Sequence, residues 1–168
     1  QKGYVNLYAR DVTDRRRAEE RLRDSELRFR STFNQAAVGM ALVGRDGRWL
    51  MVNQRLCDIL GFPQEQLLTQ TFQQTTYPED LPGELVKFED LMVGRISSYS
   101  IEKRVIRKDG STAWLAAAKS LMRDPSGQAG DCIAVLEDIT ARKQAQEEVR
   151  RLTETLERRV AERTAQLQ

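Results

Sequence analysis

Two lysines raise the first chemical question. In "SYSIEKRVIRKDGSTAWLAAAKSLMR", residues 98–123, Lys103 and Lys119 occupy positions where the apolar alternation asks for core side chains. Lysines are seldom buried without a partner. Two readings are open: both ammonium groups snorkel at a sheet margin, or Lys119 meets an anionic ligand group or a helix carboxylate. Other reactive side chains are sparse. The chain has no histidine, which removes His-based triads, the usual general base, most zinc sites and His-ligated haem. Cys57 and Cys132 lack framework spacing and read as core thiols in a reducing compartment. "RKDGS" from Arg107 is too short and too strand-bound to cradle a phosphate. With no convergent nucleophile–base set, the segment is not expected to be an enzyme.

A second chemistry lies in a repeated phrase. "ARDVTDRRRAEERL" from Ala9 and "LEDITARKQAQEEV" from Leu136 align on Asp11 and Asp138, 127 positions apart. The pairs Asp11/Asp138, Thr13/Thr140, Arg15/Arg142, Ala18/Ala145 and Glu20/Glu147 are identical. In the second copy Asp138 ends a strand and Thr140 is placed to cap the helix that follows. Arg142 and Lys143 lie within a turn of Asp138, so a carboxylate–cation contact there would fix how the helix leaves the sheet. Such a surface pair contributes about 0–1 kcal/mol. That is little for stability but enough to bias two helix orientations. Simple capping and a signalling role both fit.

The elements around these residues follow from periodicity. Residues 3–11, "GYVNLYARD", have the β-rich look of a strand. From Val12 to about Phe33 the pattern is helical, with Ala18, Leu22, Phe29 and Phe33 on one face. Two apolar runs around Asp46-Gly47 predict a hairpin. "QRLCDILGF" after Asn53 predicts a short helix stopped by Gly61 and Pro63. Residues 64–76 read as helical turns and loop. "YPEDL" at Tyr77 resembles a helix start, with Glu79 and Asp80 suited to the dipole, and a helix carrying Leu85, Phe88, Leu91 and Met92 runs to about Gly94. Three strands follow, turning at Asp109-Gly110 and at Asp124-Pro125-Ser126-Gly127. This is an α+β domain with one antiparallel sheet. If the Asp109-Gly110 hairpin has a three-residue loop, Tyr99, Ile101, Val105, Leu115, Ala117 and Leu121 share one face. Glu102, Arg104 and Trp114 then share the other, with Arg104 placed over the indole. A two-residue loop would change that pairing.

From Thr140 onward there is no Gly or Pro, and one helix of that length would reach about 43 Å. Ala145, Val149, Leu152, Leu156, Val160 and Leu167 form an apolar seam with one stutter. A parallel dimeric coiled coil would bury it, the other reading being a frayed, solvated helix. The 40% hydrophobic and 31% charged content suits a compact core joined to solvated helices. With 27 basic against 25 acidic residues, bulk charge gives nucleic-acid binding no support. The longest apolar stretch, "AAVGMALVG" from Ala36, falls far short of the roughly 20 residues a membrane helix needs. The chain opens on Gln without a signal-peptide pattern and reads as a cytoplasmic excerpt of a longer protein, whose membrane anchoring elsewhere is open.

Several of these pieces together resemble the PAS, or sensory box, domains of bacterial signal-transduction proteins. The resemblance spans about Leu27 to Thr140 and rests on "VNQRLCDILGF", "YPEDL", "IEKRVIRKDGSTAWL" and "LMRDPSGQAGDCIAVLEDIT", in that order. It implies a five-stranded antiparallel sheet with short helices on one face, flanked by long N- and C-terminal linker helices. The implied boundaries are a last-strand remnant of a preceding PAS domain at 1–11, a helical linker at 12–30, the PAS domain at 31–139 and a coiled-coil signalling helix at 140–168. Asn53 fits both a fixed strand-to-helix turn and a pocket lining. The other pocket candidates are Leu42, Met51, Phe88, Ile101, Leu115, Ala117 and Lys119. Haem-binding relatives use a histidine on the long helix, which is missing here. Covalent-flavin photosensors carry a cysteine in the region that here reads "TQTFQQTTYPED", which has none. No cofactor is expected, although a non-covalent small ligand is compatible. The terminal "LERRVAERTAQLQ" resembles the connecting helix ahead of the phosphoacceptor helix in sensor histidine kinases. The implied function is a regulatory sensory and dimerisation module, relaying a conformational signal through its C-terminal helix to a downstream output domain, expected to be a histidine kinase. The implied partners are a second copy, the preceding PAS domain and the output domain. The alternatives are a ligand-free structural spacer and input to a cyclic-dinucleotide enzyme.

Overall fold

Hydrogen-bond supply decides which segments become strands. The computed structural model describes the backbone of residues 2–123 and 129–166, and the side chains of residues 15–123 and 130–165. The chain forms two units, 1–37 and 38–168.

The first unit is one helix, α1 (Lys2–Gln35). Its exposed surface carries an Arg15–Glu19 ion pair of 3.0 Å, and Phe29 and Phe33 stack at 5.6 Å. Residues 3–11, expected as a strand, lie inside this helix. A strand without a neighbour leaves its backbone donors and acceptors unpaired, whereas a helix satisfies them within the segment. The helical linker expected at 12–30 correspondingly extends in both directions.

The second unit contains β1 (Gly39–Val43), β2 (Trp49–Val52), α2 (Gln54–Leu60), α3 (Gln64–Leu67), α4 (Phe72–Thr75), α5 (Leu81–Met92), β3 (Ser98–Ile106), β4 (Thr112–Arg123), β5 (Ala129–Asp138) and α6 (Thr140–Gln166). The five strands form one antiparallel sheet in the order β2-β1-β5-β4-β3. Strand alternation puts Ala41 and Val43, Cys132, Ala134 and Leu136, Ala113, Leu115 and Ala117, and Tyr99 and Val105 on one face. The short helices cover that face with Leu56, Leu60, Leu67, Phe72, Phe88 and Leu91.

The turns explain themselves chemically. Gly47 has φ 87°, and a Cβ there would run into Gln73, so the β1–β2 turn requires glycine. Arg107 and Ser111 close the β3–β4 hairpin through an N–H···O bond of 2.8 Å, leaving a three-residue loop at 108–110. The expected Asp124–Gly127 turn lies outside the described residues. Asn53 fixes the corner between β2 and α2. Its side-chain oxygen accepts from the N–H groups of Leu56 and Met40, both at 2.9 Å, and its amide donates to the Val38 carbonyl at 3.0 Å. The residue is fully buried, so losing the side chain would strand three backbone groups. Asn53→Ala is expected to cost about 2–3 kcal/mol of unfolding free energy, read as a lower urea midpoint at unchanged slope.

Candidate functional site

A fully buried ion cluster joins α5 to the sheet. Glu84 lies on the inward face of α5, one turn before Phe88. Its Oε2 accepts from Lys103 Nζ at 2.6 Å and its Oε1 from Lys119 Nζ at 2.9 Å. Lys103 also donates to the Thr76 hydroxyl at 2.8 Å. That hydroxyl lies 2.8 Å from the Phe72 carbonyl oxygen and 3.2 Å from Glu84 Oε2. All four polar residues are essentially inaccessible to solvent. Aromatic rings complete the enclosure: Lys119 Nζ sits 3.4 Å from the Phe72 ring centroid and 5.1 Å from that of Phe88, and these two rings meet edge to face at 4.9 Å. Such cation–ring contacts strengthen when water is excluded. The Tyr99 hydroxyl is buried beside the cluster without a hydrogen-bond partner among the described residues.

The electrostatics follow from this packing. Burial alone would raise the Glu84 carboxyl, but the two ammonium charges and their hydrogen bonds outweigh it and hold the group below its ordinary range. Burial pushes both lysines down, against the opposing pull of Glu84, and Lys103 reaches about 8. Of the two sequence readings, snorkelling is excluded by burial, and Lys119 meets a helix carboxylate.

A second arrangement stands on the opposite face of the same strands, where α6 leaves the sheet. Glu102 holds Arg142 at 2.8 Å and Lys143 at 2.5 Å. Lys143 Nζ and the Arg104 guanidinium lie 4.9 and 5.7 Å from the Trp114 ring centroid, and Arg104 also covers Tyr77 at 4.3 Å. Asp80 takes Arg104 through both carboxylate oxygens, the shortest contacts being 2.7 Å. These hydrogen bonds lower its carboxyl despite partial burial. The expected contact of Asp138 with Arg142 or Lys143 is not made. Asp138 instead pairs with Arg107 at 2.8 Å and accepts from the Thr140 amide at 2.9 Å. Burial acts to raise Asp138, but the Thr140 hydrogen bonds and the Arg107 charge prevail and lower it. Thr140 does not use its hydroxyl on its own helix, but accepts there from the Trp114 amide at 3.0 Å. The cations of the exit helix were free to choose a carboxylate across the sheet face because the three-residue loop put Glu102 on that face.

The expected pocket residues separate into two groups. Phe88, Leu115, Ala117, Lys119 and Asn53 are buried on the helix side, with Ile101 partly buried against them. Leu42 and Met51 are cross-strand partners on the other face, and Met51 is 36% exposed. Small Ala41 and the bulky Trp49 take the inner positions instead. Glu84 was not anticipated, although its place in the series Leu81, Glu84, Phe88, Leu91 puts an acid inside an apolar helix stripe. Leu85, expected on that stripe, is 39% exposed. Among the described residues, no group of His, Cys, Asp and Glu is arranged to hold a metal ion, and no helix is long and apolar enough to cross a membrane.

An antiparallel sheet with helices on one face and a long helix leaving the last strand is the arrangement that the PAS resemblance implies. The family model for the PAS fold matches residues 50–136, and the chain belongs to that family. It is 42% identical over 141 residues, 83% of its length, to the "Probable diguanylate cyclase DgcE" of Escherichia coli. It is 29% identical over 79% of its length to the sensor histidine kinase TmoS of Ectopseudomonas mendocina. The chain spans 13% and 14% of these two relatives. The solved PAS domain of an HTR-like protein from Haloarcula marismortui is 21% identical, with a TM-score of 0.63 covering 74% of this chain and 99% of that one. The chain is therefore a PAS domain, similar to those carried by these signalling relatives.

Removing the shared carboxylate is the severe change at the buried cluster. Glu84→Gln leaves two ammonium groups in the core with no counter-charge, and is expected to cost about 3–5 kcal/mol in urea unfolding. Replacing all three ions together, as Glu84→Leu with Lys103→Met and Lys119→Met, is expected to recover most of that loss.

Proposed function

We propose that this domain dimerises through α6 and passes changes in its core packing to an output domain beyond that helix. One observation carries the reading: three consecutive residues of β3 face the two arrangements alternately. Lys103 points into the buried cluster, while Glu102 and Arg104 point to the exit helix and to the start of α5. A shift of β3 against α5 would therefore move the carboxylate that holds the root of α6. The largest fully buried side chains include Phe72, Leu67, Leu91 and both lysines. That burial supports a domain that responds through packing and charge.

The seam of α6 supports the second copy. Ala145, Val149, Leu152, Leu156 and Val160 are all exposed, the four larger ones by more than half. Leu167 lies outside the described residues. The neighbouring positions carry Glu147–Arg150, Glu148–Arg151 and Arg150–Glu154 pairs that keep the flanks soluble. The echo of Asp11 to Glu20 in Asp138 to Glu147 supports a tandem arrangement, with α1 as the helix that follows a preceding domain of the same kind. For the output, the higher identity to the diguanylate cyclase relative supports a cyclic-dinucleotide enzyme ahead of the histidine kinase suggested by the terminal helix. A cytoplasmic location is part of the same proposal, supported by two cysteines without framework spacing.

Sedimentation equilibrium tests the dimer. The 168-residue chain is expected to dimerise at micromolar concentration. Leu152→Lys with Leu156→Lys is expected to weaken association at least about a hundredfold while leaving the thermal transition of the sheet in place. A wild-type monomer at high micromolar concentration would refute the reading.

A further inference from the structure

Two ammonium groups share one carboxylate, so the fully ionised cluster holds one excess positive charge in a dry interior. The surrounding groups do not balance it. Glu84 comes from α5, Thr76 and Phe72 from α4 and its end, Lys103 and Tyr99 from β3, Lys119 from β4 and Cys132 from β5. Asp80 acts on Lys103 at longer range, but its carboxylate is already engaged by Arg104. Burial pushes Cys132 up to about 11 and Tyr99 higher still, so both remain neutral acids at moderate pH.

An unbalanced buried charge is relieved by proton loss. One proton leaves and not two: after the first, Glu84 and the remaining ammonium balance, and a second loss would strand the carboxylate. Lys119 retains its proton because its Nζ sits on the Phe72 ring face at 3.4 Å. Lys103 is farther from that ring, at 5.2 Å, and contacts a Thr76 hydroxyl able to donate to a neutral amine.

We propose that the Glu84–Lys103–Lys119 cluster is a proton-responsive input of this domain: losing the Lys103 proton weakens the Glu84 link to β3 and alters how α5 holds that strand. Only the last leg, from β3 to the exit helix, rests on the relay argued under Proposed function.

The direction of the stability change is fixed. In the unfolded chain Lys103 titrates at its ordinary 10.5, and in the fold at about 8. Between those values the unfolded chain binds more protons, so folding is favoured as pH rises from 8 toward 10, and the penalty is fully present below 8.

The decisive experiment is an NMR titration of the 168-residue chain, labelled at lysine side chains, together with denaturant unfolding between pH 7 and 10. Lys103 is expected to titrate with a midpoint near 8, and the unfolding constant to fall by up to about tenfold per pH unit across the window. Lys103→Met is expected to remove that slope. If that variant does not fold, the wild-type titration decides alone, since backbone correlations assign the signal. A Lys103 midpoint above 10 overturns the proposal. So does a midpoint that moves with acetate or chloride concentration, which would make the cluster an anion site. Amide shifts of residues 140–147 read the relay separately, and are expected to follow the same midpoint. Titration near 8 with no change there supports the proton-responsive cluster and refutes the relay.

Discussion

One carboxylate placed between two ammonium groups constrains the rest of this domain. Glu84 is the only anion in direct contact with either buried lysine among the described residues, and both of its oxygens are engaged. Desolvating three ions costs several kcal/mol per ion, and their attraction repays it only with close geometry and saturated hydrogen bonds. The cluster therefore contributes less to net stability than its short distances suggest. What it does dictate is position: α5 must present Glu84 at the height where β3 and β4 present their lysines. Tyr99 and Lys119 are cross-strand partners, as are Lys103 and Leu115, so a slip of either strand by one residue would turn its lysine out of the core.

The same period-two geometry links inside to outside. With Lys103 pointing in, Glu102 and Arg104 must point out, and the positions beside the exit helix are thereby assigned. Trp114, the cross-strand partner of Arg104, then anchors the root of α6 in two ways. Its backbone carbonyl and amide engage Ile139 and Thr140, and its ring lies under Lys143. Arg107 closes the end of this system by bridging the Ile59 carbonyl and Asp138. The chain path from a buried ion to a surface helix is thus one peptide unit long.

Much of this was legible in the residues. Asp-Gly turns, the stop at Gly61 and strand alternation suffice for the sheet and the short helices, because each is a local consequence of backbone chemistry. The lysine parity was legible once a three-residue loop was assumed. Pairing across the fold was not. Whether Lys119 snorkels or is buried depends on Glu84, 35 residues away, and a lone acid in a helix stripe is indistinguishable from an exposed one without the facing strand. Leu42 and Met51 were expected to line a pocket, but an apolar side chain does not by itself report which face a strand buries. The Asp138 partner was missed for a related reason: proximity along the chain favoured Arg142, while the hairpin delivered Arg107. Residues 3–11 have strand composition and a helical backbone, since composition cannot supply a neighbouring strand.

The contrast between the two faces bears on how such a domain can switch. Inside, the ions are fully buried and any change in their charge is felt at the scale of whole pKa units, each worth about 1.4 kcal/mol. Outside, the Glu102 pairs with Arg142 and Lys143 are about half exposed, and surface pairs contribute about 0–1 kcal/mol each. A clamp so weak would be a poor structural fastening. A bias of about one to two kcal/mol would move a two-state helix equilibrium roughly five- to thirtyfold, which is what the proposed relay requires. The strong interaction sits where the strand must be placed, and the weak one sits at the root of the exit helix.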